Sequence, residues 1–419
     1  MKKRHILLLD DSNRKDALIK TEREFSTKIT SSSELSSKVR AHNVYESGNG
    51  LHLKNLGIVI IEDDDTEKIE QFCSSHNSPV QYYEESKKIF RPVQGLDIID
   101  QLKDTVSELN NKINDLEEYL KSKHQKSTSQ RLTWGLEQLE IDKTNLNGEG
   151  IDVCILDTGF YLAHPDFKDR EIKGKSFVPN ESWEEDRNGH GTHCAGVAVG
   201  GVSQENGLRY GIASAARVVI GKVLDDHGNG ATDWLVDALD NCIEKKYNVV
   251  SLSLGAPVGI GHKPSQLFER LGQVALKNNC LLIAAAGNES KRPSLPKPVN
   301  APANCESFMA VAALDRSLTV ANFSNAGINI NNGGRIDLSA PGIDIYSAYS
   351  PNAAGGKLYA TLEGTSMATP HVAGLAATYF QAFPNKTAVE IWMKLEKNAK
   401  QLNKQLIRDV GSGLPLAIM

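Results

Sequence analysis

Nothing in this chain of 419 residues approaches the roughly 18 consecutive apolar residues that a membrane span needs, so no membrane-crossing helix is expected. A secretory leader is equally hard to find. The basic start Met1 to His5 is followed by only the four apolar residues Ile6 to Leu9 before Asp10 and Asp11, short of a signal core of roughly 7 to 15 residues. Cysteine is sparse and scattered. The six thiols (Cys73, Cys154, Cys194, Cys242, Cys280, Cys305) form no C-x-x-C pair of the kind that closes a zinc site. Cys154, Cys194 and Cys280 lie in apolar runs typical of buried free cysteine, so reduced thiols and a cytoplasmic location are expected. Neither sign of charge dominates. Lys+Arg of 47 against Asp+Glu of 52 gives a net charge of -5, too balanced for a broad basic face that would neutralise phosphates, which excludes a nucleic-acid binder. With only 15 prolines and 40% hydrophobic residues, the chain is a globular protein with a sizeable core, neither collagen-like nor wholly disordered.

At roughly 100 to 200 residues per domain the length allows two or three units, and the texture of the sequence divides it. Residues 1–93 read as a strand from His5 to Leu9, a helical stretch to about residue 40, extended pieces near Val44 and from Ile58 to Ile61, a helix from Thr66 to Ser74 and a strand from Val80 to Tyr83. That βαββαβ order predicts a small ferredoxin-like α+β sandwich. The Glu62 to Asp65 acidic run within it reads as a solvated turn before the helix. Residues 94–131 carry a heptad: Ile99, Leu102, Val106, Leu109, Ile113, Leu116 and Leu120 step alternately by three and four. Over residues 95–123 this stripe serves either self-association or a partner as a coiled coil, or a linker helix laid on its own chain. The basic, Ser/Thr-rich stretch that follows reads as a solvated linker. From 132 to 419 apolar β-branched runs alternate with helical stretches: Val153 to Leu156, Val218 to Val223, Val249 to Leu254, Leu281 to Ala286 and Phe308 to Ala313. Such runs are strands buried on both faces, the mark of a parallel α/β sheet, whose sites gather at the strands' carboxyl ends.

Three motifs stand at such places. The first run ends in Asp157-Thr158-Gly159, which puts a carboxylate at a strand's carboxyl end. Next, Asn188-Gly189-His190-Gly191-Thr192-His193-Cys194-Ala195-Gly196 sets a histidine between glycines that let the backbone approach a neighbour closely. Its two histidines lack the further His or carboxylate cluster that a metal site requires. Finally, Gly364-Thr365-Ser366-Met367-Ala368-Thr369-Pro370-His371 opens a helix of small residues with a serine beside free amides and the positive end of the helix dipole. Pro370 is expected in the first turn, where a missing amide is tolerable. Taken singly, each has a bland reading as a turn, a packed histidine or an N-cap.

Together, in the order Asp, His, Ser and in their wording, the motifs resemble the subtilisin-like serine peptidases, the subtilases, from about Trp134 to Gly413. The resemblance implies a three-layer parallel sheet and a serine endopeptidase acting on proteins or peptides through an acyl-enzyme. Ser366 would be the nucleophile, His190 the general base and Asp157 the carboxylate that orients it. Asn288, in Ala286-Gly287-Asn288-Glu289, occupies the family's oxyanion position. Ser253, Leu254 and Gly255 resemble the strand that pairs with an extended substrate. His193 and His371 lie within signatures but off the triad and read as structural. Cys194 matches a family variant with a thiol beneath the base, which could confer sensitivity to thiol reagents.

Two departures follow. Many subtilases carry a calcium loop soon after the histidine motif; Asp166 is retained in His164-Pro165-Asp166-Phe167, but Gly200 to Tyr210 does not resemble that loop. The chemistry requires no cofactor, and structural calcium lacks support in the sequence. Residues 1–93 resemble the family's inhibitory propeptide in element order more than in wording, and the heptad stretch separates them from the catalytic part. A silent fold used as an interaction module is the rival reading, although every triad residue is present.

Overall fold

The computed structural model describes residues 3–9, 14–31, 50–75, 78–90, 131–329 and 333–419. The heptad of residues 95–123 and the extended piece near Val44 lie outside them. In the front unit, β1 (Arg4–Leu9), α1 (Arg14–Phe25), β2 (Ile29–Ser31), β3 (Gly50–Leu53), β4 (Ile58–Glu62), α2 (Thr66–Ser74) and β5 (Val80–Glu85) follow in order. They build a sheet of order β2-β3-β4-β1-β5, with β1 antiparallel to both β4 and β5. The helical stretch expected to run to about residue 40 instead ends at Phe25, where Ser26 takes a positive φ of 48° and the chain turns into β2. Period-two alternation sorts the side chains: Leu7, Leu9, Val59 and Ile61 pack under α1 and α2, while Ile6, Leu8, Ile58 and Ile60 face the rest of the molecule. A short strand, β6 (Lys88–Phe90), follows.

The larger unit is a seven-stranded sheet made of β7 (Asp152–Asp157), β8 (Ile172–Ser176), β9 (Arg217–Lys222), β11 (Val249–Leu252), β12 (Leu281–Ala285), β13 (Met309–Leu314) and β14 (Leu338–Pro341). Its order is β14-β13-β12-β11-β7-β9-β8 and every pairing is parallel. Alternate strand residues bury on opposite faces. Val153, Ile155, Ile283 and Val311 meet α3 (His190–Val199), α6 (Thr365–Ala382) and α7 (Ala388–Lys397). Cys154, Leu156, Leu282 and Ala312 meet α4 (Thr232–Glu244) and α5 (Gln266–Lys277), against which the front sheet also packs. Helix, sheet, helix is the three-layer arrangement that the family resemblance implies, built on the parallel sheet expected from the apolar runs. Thr387 and Glu390 close a reciprocal capping box at the start of α7. β8, at the sheet edge, was not legible because its Lys-Gly-Lys centre lacks the apolar run of a central strand. Among the described residues no helix is long and apolar enough to cross a membrane.

Candidate active site

Asp157 ends β7 in the sheet interior, fully buried. Its Oδ1 accepts the Thr158 amide at 2.7 Å and lies 2.7 Å from Nδ1 of His190. Two amides of the neighbouring strand's exit, from Val223 and Leu224, donate to its backbone carbonyl. His190 is the first residue of α3, and the glycines beside it have different tasks. Gly189 has φ +88° and sits against the ring of Tyr349, while a side chain at Gly191 would run into the Gly159 carbonyl. Asp186, which the sequence reading passed over, holds this turn from inside. It accepts the Gly189 amide at 2.9 Å, the Thr192 amide at 2.8 Å and the Thr158 hydroxyl at 2.8 Å, and so ties the loop of His190 to the strand of Asp157. Lys222 is a second residue that went unread. Fully buried, it donates to the Thr158 carbonyl at 2.5 Å and meets Asp226 at 2.9 Å and Glu181 at 3.0 Å. A lone lysine in the apolar run Val218 to Val223 was the available signal, since a buried ammonium requires partners.

Ser366 is the second residue of α6 and is buried at 1% exposure. Its Oγ donates to the Ser253 carbonyl at 3.3 Å, and Nε2 of His190 is buried without a hydrogen-bond partner. A hydrogen bond to that nitrogen would require the hydroxyl to rotate about χ1 toward the imidazole, a change that apo geometry does not forbid. Pro370 corrects the sequence expectation: it lies inside α6 rather than in its first turn. A proline there removes the hydrogen bond to the carbonyl four residues back, which is that of Ser366. That carbonyl accepts the Ser253 hydroxyl at 2.8 Å instead, with the Cys194 sulfur at 3.5 Å. The proline thus exchanges a helical bond for a tie between the helix and β11's exit.

Asn288 follows β12, and its Oδ1 accepts both the amide and the hydroxyl of Thr365, at 3.0 and 2.8 Å. This orientation is fixed by the neighbour of Ser366 and turns the amide Nδ2 the other way. A Cβ at Gly364 would stand 3.0 Å from Asn288 Nδ2 and 3.5 Å from the Ser366 amide. Two donors thus flank the space left open by that glycine, which suits an oxygen that becomes negatively charged. Of the three residues expected to pair with substrate, Gly255 exchanges both backbone bonds with Phe90, at 3.0 and 2.9 Å. The Ser253 side chain instead ties to Ser366, and Leu254 is buried in the core.

The two motif histidines that are not bonded to Asp157 are held neutral. Burial lowers His193 to about 3 and His371 to about 4, with Nε2 of His193 on the Ile345 carbonyl and Nδ1 of His371 on that of Met367. All six cysteines are free thiols. Cys194 lies 3.8 Å from His190 Nδ1, and burial pushes its thiol well above the ordinary value, disfavouring the thiolate that reagents attack. Asp157, His190 and Cys194 bring their ligand-capable atoms within 4.8 Å of one another, a grouping already accounted for by the carboxylate–imidazole bond.

Residues 148–413 match the model of the subtilase family. The chain is 35% identical over 289 residues to subtilisin BL of Lederbergia lenta, an alignment covering 68% of this chain and 97% of that protein. It is 32% identical over 277 residues to subtilisin DY of Bacillus licheniformis, covering 65% and 93%. An intracellular serine protease of Paenibacillus polymyxa is 38% identical over 234 residues, covering 55% and 66%. With the motif order, the parallel sheet and these matches in agreement, the chain belongs to the subtilase family and is a serine endopeptidase.

Proposed function

We propose that Ser366 attacks the scissile carbonyl, that His190 takes its proton at Nε2 and later returns it to the leaving amine, and that Asp157 holds the imidazole and its charge from the Nδ1 side. Asn288 Nδ2 and the Ser366 amide stabilise the tetrahedral oxygen in the space beside Gly364. Water then releases the acyl group by the same path in reverse. The observation that carries this reading is the 2.7 Å bond from Asp157 to His190, which leaves Nε2 as the atom available to the serine. A fluorophosphonate probe should label the full chain, and Ser366→Ala and His190→Ala should each abolish labelling and lower kcat by on the order of 10⁶-fold. A folded, unlabelled wild-type protein would refute the assignment.

The division into 1–93, 94–131 and 132–419 belongs to the same proposal, with the ferredoxin-like front unit as a propeptide-like regulator. Its support is β6, which lies between two backbone edges of the catalytic unit. Lys88 to Phe90 pair with β10 (Asn229–Ala231) on one side, and Phe90 pairs with Gly255 on the other. Ile89 between them is buried in the core shared with Leu224 and Leu254. This is the β-augmentation a peptide substrate would use, so the strand competes with substrate for Gly255. The name of the Paenibacillus polymyxa relative supports a cytoplasmic place of action. Self-association through residues 95–123 belongs to the proposal as well, on the heptad alone; a monomer in light scattering of the full chain at high concentration would count against it.

A further inference from the structure

The family resemblance brings with it a calcium site soon after the histidine motif, and Asp166 is the residue here that would serve it. Its carboxylate is already engaged. Oδ2 accepts the Tyr210 hydroxyl at 2.7 Å, and Oδ1 accepts the Tyr359 hydroxyl at 2.9 Å and the Gln204 amide at 3.2 Å. Oxygens of three side chains in the adjoining loop are engaged in the same way. Ser203 Oγ accepts the Glu205 amide and shares a hydrogen bond with the Tyr346 hydroxyl, Glu205 accepts from that hydroxyl at 3.0 Å, and Asn206 accepts the Leu208 amide at 3.0 Å. The rings of Tyr346 and Tyr359 stack at 5.5 Å, with Tyr210 edge-on to both. Calcium asks for about six to eight oxygens at roughly 2.3 to 2.6 Å. Oxygens already committed to phenol and amide donors do not fit it.

The partners of Asp166 come from telling places. Asp166 itself lies on the segment that leaves β7 and Asp157. Tyr210 lies on the chain that leaves α3, the helix opened by His190, and Tyr359 begins β16 (Tyr359–Leu362), which leads into Ser366. We propose that Asp166, Tyr210 and Tyr359 form a metal-free clamp that holds the three triad-bearing segments in register, and that calcium has no role at this place. Burial and the adjacent carboxylate push the Tyr210 hydroxyl upward, so it remains a protonated donor throughout the range in which the enzyme works.

The test uses full-length Ser366→Ala protein, which cannot digest itself, unfolded thermally in EGTA and in millimolar calcium chloride. The two midpoints should agree within about 1 °C, whereas Tyr210→Phe and Tyr359→Phe should each lower the midpoint by about 2 to 6 °C. Terbium at micromolar concentration, excited through tyrosine, should give no emission that Asp166→Asn removes. With Ser366 intact, each phenylalanine variant should lose about 3- to 10-fold in kcat on a peptide substrate with KM little changed. A terbium or EGTA response that disappears in Asp166→Asn overturns the metal-free assignment. Unchanged midpoints in both phenylalanine variants overturn the clamp, and lowered midpoints with unchanged kcat overturn its positioning role. Should one variant fail to fold, the other and the measurements on the unaltered clamp still decide. Because the midpoints are read on inactive protein, a failure of the triad assignment would leave them interpretable.

Discussion

The front and catalytic units are built on different kinds of constraint. In the front sheet an apolar residue of about the right size suffices at each inward position: Leu7, Leu9, Val59 and Ile61 on one face, Ile6, Leu8, Ile58 and Ile60 on the other. Around the site, identity is fixed atom by atom. Gly191 has no room for a side chain, Pro370 leaves the Ser366 carbonyl to the Ser253 hydroxyl, and Thr365 gives two bonds to Asn288 Oδ1. The first kind of constraint leaves a pattern in the sequence and the second leaves words. That is why the catalytic unit matches its family by motif, while the front unit offers only an order of elements.

Substitution at the site should therefore cost far more than substitution at the joint between the units. Asn288→Ala is expected to lower kcat by about 10²- to 10³-fold with KM little changed, measured on a peptide substrate with folding checked by circular dichroism. Thr365→Val keeps the shape but removes the hydroxyl that Asn288 accepts, and it should fall in the same direction by a smaller factor. A Thr365→Val enzyme with wild-type kcat would show that Asn288 is positioned by other contacts.

The words were read more completely than their supports. Asp157, His190, Ser366 and Asn288 could be named before any geometry because short motifs surround them. Asp186 could not, since an aspartate in the polar loop from Glu181 to Asn188 looks like any solvated turn until its oxygens are found to accept the amides of Gly189 and Thr192. The helix of Ser366 was legible but the register of Pro370 within it was not, because a serine that opens a helix and one a residue further in read alike. In the front unit the periodic strands were found, whereas β2, β3 and β6 escaped. A run of three residues such as β6 has no period of its own, and its pairing depends on Gly230 and Gly255 far along the chain.

The joint can be probed through Asp233, which is buried and accepts the Arg4 guanidinium at 2.6 Å and the Ser86 hydroxyl at 2.5 Å. Removing one partner of a buried ion pair leaves the other uncompensated, at a cost of roughly 3 to 5 kcal/mol. Arg4 also pairs with Glu62, so the expected loss lies at the lower end. If β6 competes with substrate, Asp233→Ala should raise kcat/KM of the full-length enzyme several-fold, the opposite sign from every change at the site. A fall or no change would separate the front unit from regulation and leave it as a folding partner.

The smallest effect is read through pH in the catalytic unit. Two fully buried histidines of the catalytic unit, His193 and His371, are lowered to about 3 and about 4 from an ordinary value near 6.5. Their folded values are depressed, so between those limits these two sites bind more protons in the unfolded chain than in the native one, while buried Asp337, raised to about 7, contributes with the opposite sign. The contribution of each histidine then rises with pH across this window and is lost as pH falls, by about 1.4 kcal/mol per pH unit once pH is well below 6.5. Urea unfolding of Ser366→Ala protein at pH 7, 6 and 5, compared with the same protein carrying His371→Gln, should isolate this contribution. His371→Gln should lower stability at pH 7, because a packed ring bonded to Met367 is lost, yet flatten the fall by close to one proton. An unchanged slope in that variant would place the acid sensitivity in other groups, since burial of the neutral ring is the cause of the shift assigned to His371.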